Sequence, residues 1–318
     1  MRQQQSSMRN AFSKGTWANY KSQWKTFFAF AEFFQLKPLP ASHITLSLYA
    51  QLLSRSLSSP DAIRNYVSSL KTLHLLSDLP IAQFDHPQLK FTLSGIKRSL
   101  QHTPARASPI TPHILSQMIA YLNPTNPSHL VYKALFLTAF FTMARKSNLV
   151  PTPHINSPDH FITRQDISLT PTTAIITFRS SKTNQSAART HSVPLFHIPH
   201  SQLCPVTALR QMTTSIPAHP TSPAFTLPNS KPILYSDFNL FTKLITKHIG
   251  LDHTTYSTHS FRRGGATHAF QNRVPSELIK LQGDWKSDAY LVYLEYNFEQ
   301  RISISKTMAL NLYKPSNH

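Results

Sequence analysis

The chain has 318 residues, of which 40% are hydrophobic, enough to build more than one core. Its 32 Lys and Arg residues outnumber its 13 Asp and Glu residues, which gives a formal net charge of +19. This excess attracts polyanions, so nucleic acid is the expected partner, and a charge that only keeps the protein soluble is the alternative. The basic residues are scattered rather than gathered on one amphipathic segment, which argues against a membrane surface.

Cysteine and histidine usage narrows the chemistry further. Cys204 is the only cysteine, so no intrachain disulfide can form. The 17 histidines include no HExxH motif, and we therefore expect neither a metal nor another cofactor. The first residues lack the apolar stretch of a secretory signal, and the apolar run 134–144 is too short to span a bilayer. The sequence thus predicts a soluble, intracellular protein.

Residues 1–100 are predicted to form a small, basic, four-helix domain. Ser13 is a candidate N-cap of the first helix. The apolar residues of that helix share one stripe: Trp17, Tyr20, Trp24, Phe27, Phe28, Ala31 and Phe34. Ser59 precedes a proline at the first position of another helix, and residues 42–57 and 87–100 are weaker candidates.

Residues 101–109 contain two prolines and no periodicity, so we expect a linker there. Helices return in residues 110–318, and short β-branched stretches at about 166–195 predict a small antiparallel sheet among them. The candidate N-caps and residues preceding helix starts are Thr111, Ser128, Cys204, Ser236, Thr258, Pro275 and Ser287. The predicted fold class is therefore mainly α, with a helical N-terminal domain and a second helical domain that carries a small antiparallel β-sheet.

Basic residues in this second domain are candidates for phosphate chemistry. Arg145 directly follows a nearly all-apolar helix, where a guanidinium could clamp a phosphate or simply lie on the surface. His259 and Arg262 are three residues apart on a predicted helix, so both can approach one oxyanion. Gly264 and Gly265 follow them and permit close approach of the backbone.

A lysine and three tyrosines complete the set of candidates. Lys182 lies in the predicted turn between strands, where it could donate a proton to a leaving oxygen or be an ordinary solvated lysine. Tyr290, Tyr293 and Tyr296 fall near one face of a predicted short helix, a pattern that more often packs a core. A tyrosine that attacks a phosphate would, however, need the arginines, histidine and lysine found here.

Together these residues resemble the tyrosine recombinase (phage integrase) family over nearly the whole chain. Residues 1–100 are similar to its core-binding domain, and residues from about 110 onward look like its catalytic domain. By motif, Arg145 matches the family's first arginine and Lys182 matches its hairpin lysine. His259 and Arg262 match its His-x-x-Arg box, and Trp285 matches the position held by His or Trp at the scissile phosphate.

The nucleophile that the resemblance implies is Tyr293, which is followed by an aliphatic residue as in the family. It lies eight residues beyond Trp285, whereas the usual spacing is nine, so Tyr290 and Tyr296 remain alternatives. Asn148 is a second departure, because the family commonly has an acidic residue three positions after its first arginine.

The resemblance implies site-specific strand transfer on double-stranded DNA through a covalent phosphotyrosine, with self-association on DNA and no cofactor. A descendant that binds DNA without cutting it is the alternative that Asn148 favours, and a topoisomerase would use much the same residues. Residues 283–293 look most like recombinases of eukaryotic transposable elements, which would make the protein nuclear if the host is eukaryotic.

Overall fold

The computed structural model describes residues 11–103, 106–152, 160–179 and 190–293, together with residues 302, 306, 308 and 309. The chain forms two compact units, Met1–Ala105 and Arg106–His318. Each unit has a buried hydrophobic core of its own. The described residues are mainly helical and include one small antiparallel sheet, which confirms the predicted fold class.

The described residues of the first unit form four helices. They are α1 (Lys14–Phe33), α2 (His43–Leu53), α3 (Pro60–Leu76) and α4 (Pro87–Leu100), with a short 3-10 helix, Ala82–Asp85, before α4. Ser13 and Ser59 cap α1 and α3 as predicted, because each side-chain oxygen accepts a hydrogen bond from a backbone N–H of the first turn. Ser42 caps α2 in the same way.

The apolar stripe of α1 is narrower than the sequence predicted. Phe27 and Phe30 are buried, whereas Phe28 and Phe34 are 39% and 50% exposed, so the prediction was wrong for the last two. The face of α1 that packs on the core of this unit contains Phe30, and Phe28 lies outside it. Trp24 lies on this face and donates from Nε1 to the backbone carbonyl of Ser69 at 2.9 Å, which ties α1 to α3.

The second unit is built mostly of helices. They are α5 (Pro112–Tyr121), α6 (Pro127–Thr142), α7 (Lys146–Leu149), α8 (Pro205–Ser215), α9 (Tyr235–His248), α10 (His259–Gln271) and α11 (Ser276–Gln282), with 3-10 helices at Arg164–Asp166 and Asp288–Tyr293. Two predicted starts need correction. Asn126, not Ser128, caps α6, since its side chain accepts from the Ser128 N–H. Helix α9 begins at Tyr235, whereas the sequence predicted a start after Ser236. The Asp237 carboxylate supports this start by accepting a hydrogen bond from the backbone N–H of Leu234.

The sheet has three antiparallel strands in sequence order. They are β1 (Ile167–Leu169), β2 (Thr173–Phe178) and β3 (His191–Phe196). Alternate residues of β2 and β3 are buried, with Ile176 opposite Val193, so one face of the sheet packs on the core. Phe178 pairs with His191 at the end of this ladder, which therefore marks the base of the β2–β3 connection.

Two buried glycines bring the backbone of α10 against its neighbours. A Cβ atom on Gly264 would collide with the carbonyl oxygen of Ile110, and one on Gly265 would collide with the carbonyl oxygen of Phe140. The N–H of Ile110 also donates to the carbonyl of Ser260 at 3.1 Å. Glycine is required here for close approach, and the contact fixes α10 against the end of α6.

We expect Gly265→Ala to destabilise the protein by about 1–3 kcal/mol or more, because backbone atoms must move to admit the methyl group. Gly95→Ala is the matched control, since Gly95 is an exposed helical glycine whose added Cβ would meet nothing within 4 Å. That substitution should stabilise α4 by about 0.5–1 kcal/mol. Urea unfolding of both variants measures the difference, and a Gly265→Ala protein as stable as the parent would contradict the close packing.

Candidate functional site

Arg145 lies at a break between two helices. Met143 ends α6 in the left-handed conformation, with φ of 50°, and Arg145 is the extended residue that precedes α7. The Thr142 hydroxyl accepts from the Ala144 N–H at 3.3 Å, which supports the turn. The Arg145 side chain is 21% exposed, so its guanidinium is held near the surface without being fully solvated.

Arg262 is buried at the centre of the site. It is only 2% exposed, and one guanidinium N–H donates to the carbonyl oxygen of Met143. Its guanidinium carbon lies 3.7 Å from the centroid of the Trp285 ring, in a cation–π contact. Arg262 therefore connects α10 to the α6–α7 break and to the segment that follows α11.

His259 is the first residue of α10 and lies among cations. Partial burial and the positive charges of Arg262, Lys146 and Arg145 lower the pKa of His259 to about 4. The residue is nevertheless exposed to solvent, so a bound ligand can reach it. A neutral imidazole at neutral pH can accept a proton, and the surrounding cations favour an anion as the ligand.

Trp285 and Tyr290 pack together beside Arg262. Both side chains are buried, and their ring centroids are 5.9 Å apart. They share a small apolar cluster with Met143 and Ile279, so Tyr290 has a packing role in this unit. Tyr293 is the last residue of the Asp288–Tyr293 helix, but its side chain, like the whole of Tyr296, lies outside the described residues.

Lys182 also lies outside the described residues, although both ends of its connection are defined. At one end, Arg179 pairs with Asp166, whose carboxylate also accepts from the N–H and hydroxyl of Thr163 at 2.7 Å. At the other end, His191 Nε2 donates to the carbonyl of Gln282 at 3.2 Å. The base of the connection is thus attached to the residues just before Trp285.

Gln282 extends this attachment to α6. Its side-chain amide donates to the carbonyl of Phe141 at 3.0 Å, near the α6–α7 break. Neither Gln282 nor His191 could be recognised from the sequence, because each acts through a contact with a residue more than 90 positions away.

Asp284 is a site residue that the sequence analysis missed. It has a left-handed backbone, with φ of 53°, and its carboxylate lies 3.5 Å from an Arg145 guanidinium nitrogen. Its carbonyl oxygen accepts from the other terminal nitrogen of Arg145 at 3.4 Å. Its position between Gly283 and Trp285 was the available signal, but nothing in the sequence linked it to Arg145.

The structure therefore brings four of the predicted residues together: Arg145, His259, Arg262 and Trp285. Lys146 adds to the positive charge around His259. Fixed guanidinium groups next to a neutral imidazole can bind a phosphate, stabilise charge that develops on its oxygens and accept a proton.

Two features are absent from the described residues. These residues contain no group of three or more His, Cys, Asp or Glu side chains arranged to hold a metal ion. None of the helices in the described ranges combines the length and the apolar character needed to cross a bilayer.

Comparison with known proteins identifies relatives of this fold. No family model matches the chain. It is 24% identical over 302 residues to a curated protein of Selenomonas ruminantium, named an integrase/recombinase xerD homolog, and the match covers 92% of this chain and 83% of that protein. The similarity supports the tyrosine recombinase family.

Solved structures give the same result at the level of the fold. The integrase of transposon Tn1549, in complex with circular-intermediate DNA, matches with a TM-score of 0.63 and 15% identity over 95% of this chain and 96% of that one. A lambda integrase dimer bound to a core site matches with a TM-score of 0.62 and 14% identity, over 92% and 93%. The chain has the tyrosine recombinase fold.

We expect the ring of His259 to titrate near pH 4, well below the ordinary value of about 6.5, in NMR spectra assigned with a His259→Gln variant. The folded state then binds fewer protons than the unfolded state between these values, so the histidine contributes a loss of stability as the pH falls through them. Unfolding free energies at pH 7 and pH 5 should accordingly fall less for His259→Gln than for the parent. A midpoint at or above 6.5 would contradict the cationic surroundings described above.

Proposed function

We propose that the protein is a site-specific DNA recombinase of the tyrosine recombinase family, which cuts and rejoins strands through a covalent phosphotyrosine. The observation that carries this proposal is the convergence of Arg145, His259, Arg262 and Trp285 at one site. The similarity to recombinases over more than nine-tenths of the chain supports it. Double-stranded DNA is the proposed substrate.

The proposed reaction is a transesterification. The Tyr293 oxygen attacks the scissile phosphorus, a phosphotyrosine bond forms, and the bond to the leaving oxygen breaks. Arg145 and Arg262 would bind the non-bridging oxygens and stabilise the charge that builds there in the transition state. Because one phosphate ester replaces another, the step needs no ATP, and the two guanidinium groups would supply the charge stabilisation for which a metal ion could otherwise serve.

The proposed reaction also requires two proton transfers. His259 would accept the tyrosine proton, for which its lowered pKa leaves it neutral at neutral pH. The negative charge of a bound phosphate would offset the surrounding cations and raise that pKa toward a more effective range. Lys182 would protonate the leaving oxygen. The cut strand would be rejoined by the same steps in reverse.

Three finer features belong to the same proposal. The lambda integrase relative is a dimer on DNA, and we propose that this chain also self-associates on DNA. Residues 283–293 favour an affinity with recombinases of eukaryotic transposable elements, and the protein would then act in the nucleus of a eukaryotic host. Residues 1–100 and 110–318 would serve as core-binding and catalytic domains, with the predicted linker 101–109 between them.

The deciding experiment is incubation with labelled, nicked duplexes from the sequences that flank the gene, followed by denaturing gels and peptide mapping. We expect a covalent adduct at Tyr293 that Tyr293→Phe abolishes. Tyr290→Phe and Tyr296→Phe are matched controls that should retain it. An adduct at another tyrosine would keep the activity and correct the residue, whereas tight binding without an adduct would favour the non-cutting DNA-binding protein.

Arg145→Ala should slow adduct formation by about 100-fold or more, as the loss of an oxyanion-stabilising group does elsewhere. Arg210→Ala is the control, because that exposed arginine donates to the carbonyl of Thr170 and takes no part in the site. An Arg145→Ala protein that cleaves as fast as the Arg210→Ala protein would remove Arg145 from the mechanism.

Binding to DNA should weaken steeply with salt, by about 0.9 log units in affinity per log unit of salt for each phosphate contacted. The reason is the release of counterions when basic groups neutralise phosphates, and the net charge of +19 supplies many such groups. Fluorescence anisotropy across a salt series measures the slope. A flat response would argue against backbone contacts by either unit.

A further inference from the structure

We infer that Asp284 is a positioning residue that orients Arg145 for phosphate and balances its charge until DNA binds. This inference rests on the proposed function. It assigns to Asp284, a residue outside the set predicted from the sequence, the task of presenting the first arginine of the site.

The contact geometry is the first support. Asp284 meets Arg145 with two acceptors, its carboxylate at 3.5 Å and its own carbonyl oxygen at 3.4 Å, on the two terminal nitrogens of the guanidinium. Two acceptors on a planar group fix its orientation as well as its position. Both distances lie at the long end of the hydrogen-bond range, so the guanidinium can also donate to a phosphate oxygen while the carboxylate stays beside it.

The burial of the pair is the second support. The side chains of Arg145 and Asp284 are 21% and 30% exposed, so water screens their attraction less than on an open surface. Among the described residues, both hydrogen bonds to the Arg145 guanidinium come from Asp284. The pair is therefore the contact that determines where this guanidinium points.

The side chain one turn further along the chain carries no charge. Asn148 is buried one turn after Arg145, and its backbone N–H donates to the Arg145 carbonyl at 2.8 Å. Its side-chain oxygen accepts from the Ser147 hydroxyl. This amide is uncharged and cannot balance the positive charge of the Arg145 guanidinium. The carboxylate beside that guanidinium is Asp284, which lies 139 residues further along the chain.

The backbone of Asp284 is shaped for this contact. Its left-handed conformation places the carbonyl oxygen and the carboxylate on Arg145, while the next residue, Trp285, stacks on Arg262. Two consecutive residues thus hold the two arginines of the site, and the Asp288–Tyr293 helix follows directly.

The test variant is Asp284→Asn. Asparagine adopts the left-handed conformation readily, so the substitution keeps the backbone and removes only the charge. The matched control is Asp288→Asn, which removes an exposed carboxylate of the same segment that pairs with Lys280 at 2.8 Å. Both variants gain the same net charge, which separates a local effect from general attraction to DNA.

Relative to the control, we expect Asp284→Asn to bind DNA several-fold more tightly and to form the covalent adduct about tenfold more slowly at saturating DNA. The first change follows from the loss of a competing anion, and the second from an Arg145 that is no longer aligned. A merely structural residue would not shift affinity and rate in opposite directions. Unchanged or faster adduct formation would overturn the inference.

The same substitution in an Arg145→Ala background separates this inference from the proposed function, because affinity can be measured even if the parent forms no adduct. If Asp284 acts through Arg145, Asp284→Asn should then tighten binding no more than Asp288→Asn does. Equal tightening with and without Arg145 would overturn the inference, whatever the outcome for cleavage.

Discussion

The geometry of the site depends on the contact of Arg262 with the Met143 carbonyl and the Trp285 ring. A buried guanidinium is costly unless its surroundings satisfy it, and here a backbone carbonyl and an aromatic face share that task. The Met143 carbonyl is available because α6 ends at this residue in a left-handed turn. The position of Arg145 two residues later, and that of Trp285, follow from the same contact.

The glycine pair on α10 makes this arrangement stiff. Side chains can change rotamer to absorb a shift of a helix, but the backbone of α10 rests directly on the Ile110 and Phe140 carbonyls. His259 and Arg262 therefore occupy positions set by backbone contact. Such support suits groups that must meet a phosphate with little reorganisation.

Much of the fold could be predicted because its signals are local. The N-caps Ser13 and Ser59 and the strand pattern around Ile176 each depend on residues within a few positions. The errors arose where neighbours compete. Asn126 caps α6 two residues before the predicted Ser128, and Phe28 lies just outside a stripe whose width only tertiary packing determines.

The site was less predictable, for a physical reason. Motif and spacing indicated Arg145, His259 and Arg262, but the low pKa of His259 arises from cations brought near it by folding. Asp284 could not be recognised from the sequence for the same reason, since its partner Arg145 lies 139 residues away. Local sequence can suggest which residues take part in chemistry, whereas their charge states and partners come from the tertiary structure.

The double role of Gln282 has a mechanical consequence. Its carbonyl accepts from His191 at the base of the β2–β3 connection, and its side chain donates to α6, so one residue joins three parts of the unit. Gln282 therefore holds the residues just before Asp284 and Trp285 to both the start of β3 and the end of α6.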